Sequence, residues 1–201
     1  MNGTTNRLAR VCVFCGSSAG LKPEYREATE TFARELAARQ IGLVFGGGGV
    51  GLMGHVADAV LAAGGHAIGV IPDALLAREV GHSGLPDLRV VGSMHERKAL
   101  MADLSDAFVA LPGGFGTFEE LCEAITWTQL GLHQKPCGLL NVDGFYDPLL
   151  ALFDGAVRSG FISQGSRQIV FATDDPRALL DHLASPVPPP DGVWLHSAEQ
   201  T

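Results

Sequence analysis

This 201-residue chain is short of positive charge, with 14 lysines and arginines against 22 aspartates and glutamates and a formal net charge of −8. Only three of the cations are lysines, Lys22, Lys98 and Lys135. A partner such as DNA, RNA or an anionic membrane needs a basic stripe, so the composition argues against nucleic acid and membrane. A small phosphate ester needs only local positive charge. Long apolar runs are also missing: no uninterrupted stretch reaches membrane-spanning length, and Met1 to Arg10 is polar, without the apolar centre of a signal peptide. The expectation is a cytoplasmic protein. Of the four cysteines, Cys122 and Cys137 supply no second C-x-x-C, so neither structural zinc nor any other metal is expected. Cys12 and Cys15 do form a C-x-x-C, but they fall in the apolar run Val11 to Cys15 and read as small core hydrophobes, not as a redox pair.

At 46% hydrophobic residues the chain is long enough for one well-packed domain and too short for two. Residues 1–184 are expected to form that domain. Residues 185–201 form a tail that opens with four prolines in six residues, Ser185 to Pro190, which neither helix nor central strand tolerates. Within the domain, short apolar runs alternate with helical spacing. Strands are expected near 10–15, 41–45, 66–71, 88–91, 107–111, 136–141 and 168–171, and helices over 23–40, 51–63, 93–104, 147–159 and 176–183. Such alternation predicts an α/β fold: a doubly wound, mostly parallel, Rossmann-like sheet of about seven strands with helices on both faces.

Glycine, with 26 residues, is concentrated where this fold binds ligands, outside the carboxyl ends of the strands. Gly113, Gly114 and Gly116 lie between the run Ala107 to Leu111 and the helical spacing Phe118, Leu121, Cys122, Ile125, with Thr117 placed as an N-cap. A helix N-terminus with bare backbone before it is a phosphate cradle. A second glycine turn, Gly46 to Gly54, follows the strand at 41–45. It threads the dinucleotide pattern through Gly46, Gly48 and Gly51, but without the acidic residue that pattern expects about 20 positions on. Ser17 and Ser18, after the first strand, either bond a phosphate or ribose or cap the next helix. Ser93 and Glu96 make a capping box that sets Arg97 and Lys98 just past the first turn of a helix, where adjacent residues point about 100° apart and serve different parts of a ligand.

Together these segments resemble the LOG family, cytokinin riboside 5′-monophosphate phosphoribohydrolases often mislabelled lysine decarboxylases. The matching stretches are 13–18, 47–54, 93–98 and 112–120, with 125–127 and 135–141 further on. The resemblance implies cleavage of a nucleoside 5′-monophosphate to free base and ribose 5-phosphate, without a cofactor, by a homodimer whose active site is near the subunit boundary. It also implies that substrate is held by Glu79, by Arg97 and Lys98, by Gly114 to Glu120 and by Thr126, and that Arg97 and Glu120 are catalytic. The wider set of candidate contacts adds Ser17, Gly47, Gly48, Met53, Met94 and Gly113, beside Phe115, Gly116, Thr117, Phe118 and Glu119 within the turn.

The residue types suit the reaction. Breaking a ribosyl C–N bond passes through an oxocarbenium-like state, which a carboxylate such as Glu120 stabilises while orienting or deprotonating water. Arginine is a poor proton donor, so Arg97 is assigned to positioning and charge stabilisation, and Lys98 to phosphate. Decarboxylation through a Schiff base needs a dedicated lysine, and Lys98 is better explained beside Arg97 as an anion contact. A second reading is a non-catalytic carrier of a nucleotide or phosphorylated cofactor, which keeps the glycine turns but has no need of Glu120. Finally, Trp127 falls on the helical face opposite the expected core face, so either a loop of the same chain or a second subunit should cover it.

Overall fold

The computed structural model of the protein describes residues 8–76 and 81–185; Glu79 and the tail beyond Ser185 lie outside these. In chain order the elements are β1 (Arg10–Phe14), α1 (Pro23–Ala38), β2 (Gly42–Phe45), α2 (Gly51–Ala62), β3 (Ala67–Pro72), α3 (Asp73–Leu76), β4 (Asp87–Val91), α4 (Met94–Asp103), β5 (Ala107–Ala110), α5 (Phe115–Leu130), β6 (Cys137–Leu140), α6 (Asp147–Arg158), α7 (Gln164–Arg167), β7 (Val170–Thr173) and α8 (Pro176–Leu183). The seven strands form one parallel sheet in the order β4-β3-β2-β1-β5-β6-β7. The chain winds outward from β1 in one direction and then in the other, so the topology reverses between β1 and β5. A crevice opens at such a switch, outside the carboxyl ends of the strands.

Strand residues alternate between two cores. Val11, Val13, Leu43 and Phe45 pack with Phe32 and Leu36 of α1, Leu52 and Val56 of α2, and Leu179 and Leu183 of α8. Cys12, Phe14, Val44 and Phe108 pack on the other face with Met101 of α4, Leu121 and Ala124 of α5, and Tyr146. With both faces covered, the inner strands such as β1, β2 and β5 read as continuous apolar runs, which is why they were legible in the sequence.

Three local expectations are corrected. Thr117 is not an N-cap: α5 begins two residues earlier, behind Gly114, and Thr117 is buried inside its first turn. Glycine permits this early start because Thr117 fits under Gly113, where a Cβ would overlap its Oγ1. The buried stripe of α5 is Thr117, Leu121, Ala124 and Thr128, with Cys122 exposed and Phe118 and Ile125 only partly buried. The last strand starts at Val170 instead of 168, because Ser163 caps a short helix over Gln164–Arg167 and the following turn uses Gln168 and Ile169.

Trp127 packs against the second core and meets the His133 ring edge-on, with centroids 6.3 Å apart, so the loop after α5 covers part of it. Burial, reinforced by Lys135, holds the His133 pKa down to about 4. Its folded pKa therefore lies below the ordinary value of about 6.5, and the unfolded chain takes up the proton first. This contribution to stability is present above pH 6.5 and fades as pH falls towards 4. His133→Phe should remove about 2 kcal/mol of the loss that the wild type shows between pH 7.5 and pH 5, measured by urea unfolding at the two pH values.

Candidate active site

Three turns meet at the carboxyl ends of β1, β2 and β5, and glycine lets them approach. The Gly16 N–H donates to the Pro112 carbonyl at 3.1 Å, and a Cβ on Gly113 would crowd the Gly16 backbone. Gly51, at φ +62°, lies against the backbone of Ser17 and Ser18, where a side chain would overlap Ser17. Behind them, the buried Tyr146 hydroxyl donates to the Leu111 carbonyl at 2.6 Å and fixes the end of β5.

In front of the turns is a cavity of about 280 Å³ lined by Cys15, Gly16, Ser17, Met53, Leu75, Met94, Arg97, Gly114 to Thr117, Glu119 and Glu120. Its floor is the N-terminus of α5, which no side chain caps; the same holds for α1, α2 and α6, while Ser93, Ser163 and Asp175 cap α4, α7 and α8. Uncapped N–H groups and the positive end of the helix dipole attract an anion. A Cβ on Gly114 or Gly116 would meet nothing within 4 Å, so open space lies beside both glycines. These two glycines differ from Gly113, which is small for packing.

Arg97 enters the cavity from α4. The guanidinium lies over Gly46, whose Cβ, were there one, would overlap Nη2. The first glycine of the second turn therefore makes room for an arginine. The side chain is 7% exposed; Nη2 stands 3.8 Å from Glu120 Oε1, and Nη1 stands 3.7 Å from Met94 Sδ. Nε is buried with no hydrogen-bond partner among the described residues. A buried cation with an unused donor is costly unless an acceptor arrives. Glu120, 11% exposed, faces it across the cavity. Cys15, which the sequence placed only in the core, also reaches the wall. Burial, then the proximity of Glu120, pushes its thiol far up, which keeps it protonated and unreactive at neutral pH.

The other candidates divide. Ser17, Met53, Met94 and Glu119 share this wall, whereas Gly47 and Gly48 are buried beneath it, with the Gly47 carbonyl accepting from the His82 N–H and Gly48 bridging to Gly81. Neither serine after β1 caps α1, whose N-cap is Lys22. Phe118 stacks on Phe145 away from the cavity. Thr126 donates to the Cys122 carbonyl on the exposed side of α5, and Lys98 turns towards Glu119 and Glu123. Leu75 escaped notice because the segment between Pro72 and Leu88 reads as loop, and only the structure shows the short α3 that presents it.

Comparison with known proteins fits this arrangement. The chain is 55% identical over 190 residues to a probable cytokinin riboside 5′-monophosphate phosphoribohydrolase of Oryza sativa subsp. japonica, covering 94% of this chain and 84% of the relative. It is 52% identical over 183 residues to a cytokinin riboside 5′-monophosphate phosphoribohydrolase of Arabidopsis thaliana, covering 91% and 84%. The chain belongs to the LOG family. A family model described as "possible lysine decarboxylase" also matches residues 53–183. Among solved structures, the molybdenum cofactor carrier protein of Chlamydomonas reinhardtii aligns with a TM-score of 0.66 over 88% of this chain and 98% of that one, at 22% identity, which is a likeness of fold.

The word decarboxylase does not suit a LOG site built like this one. Pyridoxal phosphate needs a lysine amine to hold it as a Schiff base. Lys22 pairs with Asp143, Lys98 with Glu119 and Glu123, and Lys135 donates to the Ala102 carbonyl at 2.8 Å. None of the three lines the cavity, so the residues present do not fit that cofactor.

Placing a methyl group at residue 46 tests the seat of Arg97. Gly46→Ala should keep the circular dichroism of the wild type yet weaken binding of ribose 5-phosphate about tenfold or more in a calorimetric titration, because the guanidinium must move. Unaltered affinity would show that Arg97 is not a ligand contact.

Proposed function

We propose that this LOG-family protein hydrolyses the N-glycosidic bond of nucleoside 5′-monophosphates of the cytokinin riboside type, releasing the free base and ribose 5-phosphate. The observation that carries the reading is the buried Arg97–Glu120 pair facing the uncapped start of α5 across one cavity. The curated relatives above 50% identity are named phosphoribohydrolases, whereas likeness to the carrier proteins extends to fold alone, so the enzyme reading is preferred to a carrier.

In this reading the 5′-phosphate sits on the backbone N–H groups at the first turn of α5, beside Ser17, where Gly114 and Gly116 leave the approach open. The anomeric carbon then faces Glu120. As the C1′–N bond lengthens, its electron pair goes to the base and positive charge gathers on the ribose, which the carboxylate stabilises. A water oxygen bonds to C1′ and passes a proton to Glu120, while the base nitrogen takes a proton from solvent. Arg97 positions the sugar and places a fixed positive charge beside Glu120; as an arginine it does not donate the proton. The base lies towards Met53, Leu75 and Met94. Water is the only co-reactant this scheme draws on.

The same reading treats the protein as a single cytoplasmic domain working as a homodimer. Supporting a location in the cytoplasm are the net charge of −8 and, among the described residues, no helix long and apolar enough to cross a membrane. Supporting a second subunit at the mouth of the site is Phe115, a large aromatic at the first position of α5 that is 92% exposed.

A panel of nucleoside monophosphates, N6-prenylated AMP among them, followed by chromatography for free base, tests the activity. The matching nucleosides should react at least about tenfold less efficiently, since each charge-assisted bond to phosphate contributes about 1.5–3 kcal/mol. Glu120→Gln should cut kcat by about 10²–10⁴ with binding largely kept, and Glu119→Gln by far less. Equal turnover with and without the phosphate, or equal effects of the two glutamine variants, contradicts the assignment. Light scattering at micromolar concentration should give a dimer; a fully active monomer refutes that part.

A further inference from the structure

Between β3 and β4 the chain crosses the second glycine turn, and its hold on the fold there is slight. The helix α3 buries none of its four residues. What fastens the crossing is a short series of bonds. The Gly81 N–H donates to the Leu76 carbonyl at 3.4 Å, Gly81 bridges to Gly48, and the His82 N–H donates to the Gly47 carbonyl at 3.0 Å. The His82 ring adds a tie outside this backbone set: Nε2 stands 3.0 Å from Asp58 Oδ1, with the His82 side chain 9% exposed and that of Asp58 72%. A carboxylate only accepts, so the ring carries a proton on Nε2 and donates it. Nδ1 is buried with no hydrogen-bond partner among the described residues, so the bond to Asp58 is the directed polar contact of a ring that is costly to bury without one.

Asp58 belongs to α2, as does Met53 of the cavity wall, and Leu76 follows Leu75, which lines the same cavity. The bonds from Gly81 to Leu76 and from His82 to Asp58 therefore link these two parts of the wall from behind. We infer that His82 is a positioning residue: clasped to Asp58, it ties the crossing segment to α2 and holds Leu75 in place relative to Met53, on the side of the cavity assigned to the base. The pull acts in the direction needed. With no buried side chain to anchor α3, an attractive bond between the crossing segment and α2 draws the Leu75 wall in, and its loss leaves α3 hinged on backbone bonds to the glycine turn. Because Asp58 is mostly exposed, the bond contributes little to overall stability, so breaking it shifts the wall without unfolding the chain. A substituent on the base that packs against this wall registers such a shift more than the base itself.

This inference rests on the proposed placement of the base, and the test separates the two. Values of kcat/KM for N6-prenylated AMP and for AMP are compared in wild type, His82→Leu, Asp58→Ala and the double variant. A wall held by the clasp predicts that each single variant lowers the ratio of the prenylated substrate to AMP about fivefold or more, through KM and with kcat on AMP kept within about twofold. The double variant should be no worse than His82→Leu alone, because all three break one bond. His82→Gln, whose amide still donates to Asp58, should recover part of the ratio. Equal losses on both substrates, or a ratio unchanged in both single variants, overturn the inference. Should His82→Leu fail to fold, Asp58→Ala decides alone by the same ratio. If the wild type releases no base, the reading of the site falls, and amide hydrogen exchange judges the clasp. Faster exchange of the Gly81 and His82 amides in Asp58→Ala then supports it, and protection equal to that of the wild type overturns it.

Discussion

The site depends on one steric condition: the Arg97 guanidinium occupies the space that any side chain at residue 46 would fill. From this the rest follows. A buried arginine needs a counter-charge, and Glu120 supplies it, with Oε1 3.8 Å from Nη2. A guanidinium at the end of β2 and a carboxylate on α5 meet only if the turns after β1, β2 and β5 approach closely, which Gly16, Gly51 and Gly113 allow. The glycines thus do two jobs. Gly46, Gly51 and Gly113 are small because protein atoms press on them, whereas Gly114 and Gly116 face open space at the start of α5.

Much of this was legible in the residues, and the part that was not has identifiable causes. Strands buried on both faces, such as Val11 to Phe14 and Ala107 to Ala110, announce themselves as apolar runs, and the parallel sheet follows from their alternation with helical spacing. Ser93 and Glu96 placed the start of α4 correctly, with Ser93 Oγ accepting from the Glu96 N–H and Glu96 Oε2 accepting from the Gly92 N–H. The direction of a side chain is a different matter. Arg97 and Lys98 are neighbours in sequence and similar in charge, yet one faces the cavity and the other the flank of α5, because tertiary packing decides which side of α4 meets which helix. Thr117 misled for a related reason: its residue type suits a cap, but the glycines before it let the helix begin at Phe115. Cys15 and Leu75 carry no chemical signature that marks a wall residue, and only the fold brings them to the site.

The two names attached to relatives of this chain pull in different directions, and the side chains choose between them. A decarboxylase of the Schiff-base kind needs an amine in the cavity, and all three lysines are engaged elsewhere. An N-glycosidase needs an anion seat, a carboxylate and a fixed positive charge, and the uncapped start of α5, Glu120 and Arg97 share one cavity beside the switch between β1 and β5. The fold, shared with molybdenum cofactor carriers at 22% identity, leaves both possibilities open; the relatives above 50% identity and the Arg97–Glu120 pair separate them.

The central claim concerns where the sugar phosphate lies, and a crystal structure with ribose 5-phosphate bound tests it most directly. The account predicts the phosphate on the backbone amides at the start of α5 beside Ser17, with C1 of the sugar turned towards Glu120 and the guanidinium of Arg97 within reach. A phosphate seated instead in the neighbouring cavity of about 310 Å³, between Tyr25 and Phe145, with Arg97 and Glu120 untouched, would contradict it.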